Sequence, residues 1–269
     1  DASVTRNVGA IENQGLEFTL STRLFDKPKF KWNMDVNGSV NRNVIRELYK
    51  DMHTGFFDSV WMVGASKSDW WLSRWAGVDP ATGQPMWYTA DGDLTFNFSY
   101  DNRVLLPEYS KEPDLSGGIS NTFTFGPFSA RVMMTYSFGG WTLTSYTQDD
   151  GHDIISFNTV VEDLDHWRKP GDVSRNPQYV YNSSNLSTMS STRFLYNKTN
   201  VQLKNITLSY SFPKSICRKV HLSGATFSLM GDNLYLWTPG QSKSHNSYKT
   251  LMYTMGMTRS VSGQLSLNF

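Results

Sequence analysis

Six aromatic side chains between Val44 and Asp114 are the residues best suited to hold a ligand: Trp61, Trp70, Trp71, Trp75, Trp87 and Tyr88. A flat ring with a polar edge can stack on a sugar ring or a peptide group. The same rings can pack a long loop into a self-supporting cap, and packing is the default expectation for any one of them. Asp149, Asp150, His152 and Asp153 gather oxygen ligands of the kind that hold calcium. The spacing of an EF-hand is absent, so a solvated loop is expected and no metal site is assigned. Glu162 and Asp163, followed by Asp165 and His166, read as a short helical turn before Trp167. No nucleophile or oxyanion site accompanies them, so neither an enzyme nor a cofactor is expected.

Composition narrows the class of element that positions these residues. The chain has 269 residues, 39% hydrophobic and 18% charged, with net charge +1. That is long enough for a large core and too near neutral for nucleic acid to be a default partner. Mean hydropathy is -0.44, and no run approaches the roughly 18 apolar residues of a membrane helix. Barrel strands alternate and keep average hydropathy low, so a membrane barrel stays open. The single cysteine, Cys217, excludes an intramolecular disulfide framework and a cysteine-based zinc cluster. It sits by a short turn and reads as a passive thiol.

Alternation is clearest at the end of the sequence. Val261, Gly263, Leu265, Leu267 and Phe269 fall on one face; Ser262, Gln264, Ser266 and Asn268 fall on the other. The pattern recurs six more times, predicting strands near 15–25, 29–44, 115–125, 128–147, 200–212, 223–237 and 257–269. In the first, Leu16, Phe18, Leu20 and Leu24 share a face; in the fourth, Met133 is the exception. Glu17, Arg23, Lys31, Asp35, Arg131 and Lys204 are expected on the polar face.

A soluble antiparallel sandwich also alternates, so the connections decide. Short ones, Asp26–Lys29, Gly126–Pro127 and Pro213–His221, take turns with long ones at 45–114, 148–199 and 238–256. Long structureless loops are uncommon in soluble domains, whereas membrane barrels pair short periplasmic turns with long extracellular loops. With the short turns periplasmic, the last strand descends and ends on the periplasmic side. Phe25, Phe30, Phe125, Phe128 and Phe212 flank the short turns, where an aromatic girdle belongs.

Six motifs then follow one another along the chain. They are Asn7–Phe18 (NVGAIENQGLEF), Ala76–Pro85 (AGVDPATGQP), Gly117–Phe123 (GGISNTF) and Trp167–Asp172 (WRKPGD). Then come Ser191–Leu195 (STRFL) with Leu203–Tyr210 (LKNITLSY), and Gly231–Leu234 (GDNL) with Trp237. In this order, over nearly the whole chain, they resemble the SusC/RagA-like family of TonB-dependent outer-membrane transporters. After Trp237 the resemblance weakens, because Pro239-Gly240-Gln241 stands where the family often has D-P-E.

The resemblance implies an all-β fold: about seven spanning strands from the C-terminal portion of a 22-stranded transmembrane antiparallel barrel, with long extracellular loops. It implies import of glycan or peptide fragments across the outer membrane of a Gram-negative bacterium. A SusD-like lipoprotein lid, the TonB complex and an N-terminal plug and barrel half are the implied partners, besides outer-membrane lipid. Those N-terminal parts and the TonB box are not in this sequence. Seven strands would leave two edges in lipid, so pairing with an N-terminal part is expected. The resemblance also implies that polar-face residues meet the plug, water or the transport path. Phe269 resembles the terminal aromatic read by the barrel-assembly machinery. In such a barrel the N-x-S/T triplets at Asn97, Asn182, Asn185, Asn197 and Asn205 carry no meaning. Two rival readings are a small structural or adhesive eight-stranded barrel and a secreted carbohydrate-binding β-sandwich.

Overall fold

The structure is a computed structural model that describes residues 9–49, 54–56, 59–143, 165–179, 189–239 and 257–269. Fifteen strands follow in chain order. They are β1 (Gly9–Lys27), β2 (Phe30–Leu48), β3 (Thr54–Phe56), β4 (Ser59–Trp61), β5 (Asp69–Val78), β6 (Pro85–Tyr88), β7 (Leu94–Thr95) and β8 (Arg103–Ser110). After them come β9 (Pro113–Phe125), β10 (Phe128–Gly139), β11 (Trp141–Leu143), β12 (Leu195–Asn197) and β13 (Asn200–Ser211). A six-residue helix, α1 (Lys214–Lys219), precedes β14 (Gly224–Trp237) and β15 (Ser260–Asn268).

Seven of the strands form one antiparallel sheet in the order β1-β2-β9-β10-β13-β14-β15. These are the seven strands the alternation predicts. The sheet does not close: β1 and β15 are its edges. Its shortest member, β15, has nine residues, and about 9–11 suffice for a tilted strand to cross a bilayer. β1 and β2 have 19 each and therefore project well beyond such a span. No helix among the described residues is long and apolar enough to cross a membrane, which says nothing about strands.

Register carries the apolar face from strand to strand across the sheet, because residues directly opposite one another point to the same side. One row runs Leu20–Val36–Ile119–Met134–Leu203–Tyr235; another runs Phe25–Trp32–Phe123–Ala130–Leu208–Leu229. This face is uncovered: Leu16, Phe125 and Leu265 are 67%, 61% and 59% exposed. No second sheet packs on it among the described residues, so the arrangement is not a β-sandwich, whose two sheets bury their apolar faces against each other. The opposite face carries the row Ser21–Asp35–Ser120–Met133–Asn205–Asp232.

Phe25 and Trp32 stack at 5.8 Å, Trp32 and Phe123 at 5.5 Å, and Phe128 and Tyr210 pair at 4.9 Å. The aromatic rows thus lie at the short-turn end of the strands. Two glycines interrupt the apolar face farther along. Gly38 and Gly117 stand in the row Phe18–Gly38–Gly117–Tyr136. A Cβ on Gly117 would stand 2.1 Å from the Asn37 carbonyl oxygen and 2.6 Å from the Tyr136 hydroxyl. The Tyr136 ring covers the gap, and its hydroxyl donates to the Asn37 carbonyl at 2.8 Å. An aromatic ring laid over a strand glycine restores the packing that the missing side chain forfeits.

Three strand expectations need correction. β1 carries a bulge between Arg23 and Phe25, so Phe25, opposite Trp32, joins the apolar row where simple alternation assigns Leu24. β10 leaves the large sheet at Gly139 instead of continuing to 147. Gly139 and Gly140 both have positive φ (75° and 74°), and Trp141–Leu143 pairs with β12 in a separate sheet; 144–147 lie outside the described residues. Lys204 is not a regular polar-face residue. It occupies a break in register between Leu203 and Asn205, opposite Asn233 (φ 51°), to whose Oδ1 it donates at 2.9 Å.

Candidate functional site

The first long connection, expected as one loop, folds into a four-stranded sheet ordered β7-β6-β5-β8. The main buried cluster lies here and not in the large sheet: Trp70, Leu72, Leu106 and Leu195, with Trp141 and Tyr109 packed against it. β5 reads Asp69-Trp-Trp-Leu-Ser-Arg-Trp75 and is covered on both sides, so both its faces carry large side chains. Leu195 and Trp141 come from the second long connection, so one apolar core ties both connections into a single cap.

A buried polar node joins this cap to the rim of the large sheet. Asn43 of β2, 4% exposed, donates to Glu112 Oε2 (3.0 Å) and Ser68 Oγ (3.3 Å) and accepts from Ser66 Oγ and the Lys67 N–H, both at 2.9 Å. Ser68 Oγ donates to Glu112 Oε1 at 2.8 Å. Every polar atom of the Asn43 amide is thus used, as burial demands. Beside it, burial pushes the Asp69 carboxyl above its ordinary value; the Ser66 N–H opposes this, while Glu108 and Glu112 reinforce it. Lys198 donates to the Lys111 carbonyl, and burial lowers its pKa against the pull of Glu112.

The motifs scattered along the sequence meet in this cap. Asp79 closes the turn of the AGVDPATGQP stretch by accepting from Thr82 Oγ1 (2.5 Å) and from the Ala81 and Thr82 N–H groups. The Thr82 hydroxyl, then the Ala81 N–H, hold its carboxyl below the ordinary range. Trp167 of the WRKPGD stretch lies on Gly83 and donates from Nε1 to the Pro80 carbonyl at 2.9 Å. The Gly171 N–H reaches the same carbonyl at 2.8 Å. From the STRFL stretch, Thr192 Oγ1 accepts from the Trp75 N–H (2.9 Å) and Arg193 donates to Asn176 Oδ1 (2.5 Å).

The six candidate aromatics divide. Trp70 and Trp87 are 6% and 1% exposed and fill the interior, so no ligand reaches their faces in this conformation. Trp71, Trp75 and Tyr88 are half-buried. Arg103 lies 3.9 Å over Trp71, Arg193 4.8 Å over Trp75 and Arg74 5.4 Å over Tyr88. Edge contacts link Trp75 to Trp87 (5.5 Å), Trp87 to Phe98 (5.6 Å) and Phe98 to Tyr100 (5.0 Å). Trp61 lies on the β3–β4 hairpin. Phe98, Tyr100, Arg103 and Arg193 are ladder members that the sequence reading missed. The alternation Phe96-x-Phe98-x-Tyr100 was the available signal. Alternating rings and guanidinium groups offer flat apolar faces beside fixed donors, a surface fitted to sugars, peptide groups or carboxylates.

Of the remaining candidates, Asp149, Asp150, His152, Asp153, Glu162 and Asp163 lie outside the described residues. Asp165 and His166 are structural: the Asp165 carbonyl accepts from the Asn176 N–H, and His166 packs 4.1 Å from Tyr179. Cys217 is free and buried. On the polar face of the large sheet, Arg23 and Lys31 both approach Asp26 (2.6 and 3.4 Å), and Arg131 donates to Ser120 Oγ at 3.1 Å.

The chain is 22% identical over 272 residues to TonB-dependent receptor P3 of Formosa agariphila, covering 91% of this chain. It is 24% identical over 258 residues to receptor P26 of the same organism. The chain is similar in sequence to curated TonB-dependent receptors. It spans about a quarter of the length of these curated relatives, 26% in each case. The fold of the chain matches chains in solved structures of the RagAB peptide transporter. The TM-score is 0.79 at 21% identity for one, and 0.80 at 22% identity for the importer in its open-open state. Each covers 98% of this chain and about 30% of the solved one. No family model matches. The resemblance carried by the motifs is thus met by relatives named TonB-dependent receptors and by the fold shared with the RagAB structures.

Proposed function

We propose that this chain forms barrel wall and extracellular cap of an outer-membrane, TonB-dependent importer of nutrients. The observation that carries this reading is the apolar face that runs from strand to strand over a seven-stranded sheet, each strand long enough to cross a bilayer, topped at one end by a folded cap. A face of that extent without cover in water would be an aggregation hazard; in lipid it is a requirement. The cargo class is glycan or peptide fragments, held by the ring faces of Trp61, Trp71, Trp75 and Tyr88. A SusD-like surface lipoprotein covers the cap, and TonB supplies the energy through a plug outside this stretch. The polar rows of the sheet line the lumen against plug and water, and Phe269 serves barrel assembly. The chain does no bond chemistry in this scheme.

Single cysteines test the topology. Lys29→Cys lies in a short turn and Asp91→Cys in the cap, both at exposed positions, and the native Cys217 is buried. A membrane-impermeant maleimide added to intact cells is expected to label Asp91→Cys alone. Lys29→Cys is expected to react only after the outer membrane is permeabilised. Labelling of both positions from one side would overturn the orientation.

A further inference from the structure

The short-turn end of the sheet carries a groove of about 410 Å³ on the apolar face. Phe125, Phe128, Ala130, Leu208, Tyr210 and Phe227 line it, drawn from four adjacent strands. Phe125 and Phe128 are 61% and 56% exposed, so the groove opens outward from the sheet. β13 leads directly from Tyr210 through Phe212, in ring contact at 5.1 Å, into α1. That helix is amphipathic in an unusual sense. Cys217 turns inward, while Ile216 and Val220, the residue that caps the helix four positions on, are 51% and 61% exposed. Lys214, Arg218 and Lys219 are also exposed. Apolar side chains standing free beside three cations suit the boundary between acyl chains and headgroups, where basic side chains reach the phosphates and aliphatic ones enter the hydrocarbon.

The geometry points to a binding site for an anionic phospholipid in the leaflet that meets the short turns. An acyl chain lies in the groove between Phe128 and Phe227, and its phosphate pairs with Lys214, Arg218 and Lys219. The inference rests on the membrane-barrel reading and adds a selective lipid to it. Charge complementarity selects this occupant: the helix beside the groove offers three cations and no carboxylate.

The test is native mass spectrometry of the intact protein, extracted in mild detergent and exposed to equal phosphatidylglycerol and phosphatidylethanolamine. Selective retention of phosphatidylglycerol is expected. A Lys214→Gln, Arg218→Gln, Lys219→Gln variant should lose that selectivity, by roughly fivefold for each charge removed. A Phe128→Ala, Phe227→Ala variant should lose retention of both lipids. Equal retention of the two lipids by the native protein, selectivity that survives the triple substitution, or a dimer that retains no lipid would overturn the site. Membrane fractionation of the same preparations separates the two readings. A native protein that inserts but shows no lipid preference refutes the lipid site alone, and one recovered as a soluble species refutes both.

Discussion

The indole of Trp167 lies so close over Gly83 that a Cβ there would stand 2.5 Å from the ring, while its Nε1 donates to the Pro80 carbonyl at 2.9 Å. Gly83 has φ of 75°, so glycine is required both by backbone conformation and by the ring above it. This contact joins the two long connections that arise from different strand pairs. Gly83→Ala is expected to cost about 1–2 kcal/mol from the left-handed backbone alone, plus the displacement of Trp167. Trp167→Phe keeps a ring and loses one hydrogen bond, for about 1 kcal/mol. Hydrogen exchange over 165–179 measures both, with Gly83→Ala giving the larger loss of protection.

Tyr136 makes a separate prediction about the large sheet. Its hydroxyl, on the apolar face, is satisfied by the Asn37 carbonyl. Tyr136→Phe should cost about 1 kcal/mol, the net worth of that bond. Gly117→Ala is far worse, because its Cβ meets a backbone oxygen at 2.1 Å and a strand cannot yield there without breaking the β2–β9 ladder. On the membrane-barrel reading, the heat-modifiable, folded fraction of the assembled barrel on electrophoresis should fall little in the first variant and collapse in the second.

The cap should respond to pH through Asp69. Its folded pKa is raised, chiefly by burial, so the folded state holds a proton that the unfolded state has released. Stability of the cap therefore falls as pH climbs from the ordinary aspartate value through the raised one, and the penalty is complete above it. Asp69→Asn retains an acceptor for the Ser66 N–H and should flatten this dependence, leaving the cap more stable at neutral pH. Lys198 has the opposite sign at alkaline pH: its folded pKa is lowered, so stability rises as pH passes through that value. Tryptophan emission followed across pH in both proteins reads the difference.

Adjacent tryptophans should behave differently. Trp70→Ala empties the cap interior and is expected to cost about 3–5 kcal/mol of local stability. Trp71→Ala removes a half-buried ring stacked under Arg103, so it should cost less stability than Trp70→Ala. If that ring holds cargo, uptake of labelled peptide or oligosaccharide pools should weaken about three- to tenfold, the worth of an aromatic contact. Thermal unfolding and an uptake assay on the two variants separate packing from binding.

The strands were legible because a sheet with one apolar and one polar face writes them into a period of two, and Phe227, Leu229, Val261 and Leu265 follow it. Register breaks were not legible. The bulges at Leu24 and at Lys204 opposite Asn233 depend on which neighbour a strand meets, and alternation does not report that. The cap was hidden for a different reason. β5 is covered on both sides, so Trp70, Trp71 and Leu72 form a continuous apolar run without a face, which a loop rich in aromatics imitates. Trp167 and Gly83 belong to motifs visible in the sequence, but their contact is a tertiary fact.

The position of the buried core has a thermodynamic consequence on the membrane-barrel reading. Trp70, Leu72, Leu106 and Leu195 are hidden from water inside the cap, whereas the apolar rows of the sheet are hidden from water only by lipid. Two solvents thus hold one chain together, and urea weakens the first kind of burial directly. Denaturant added to the protein in a bilayer should melt the cap in a shallow transition, its slope set by the small area exposed, and leave the strands in place. On that reading the half-molten chain would still be anchored in the membrane, and it would have lost the surface proposed above to face cargo.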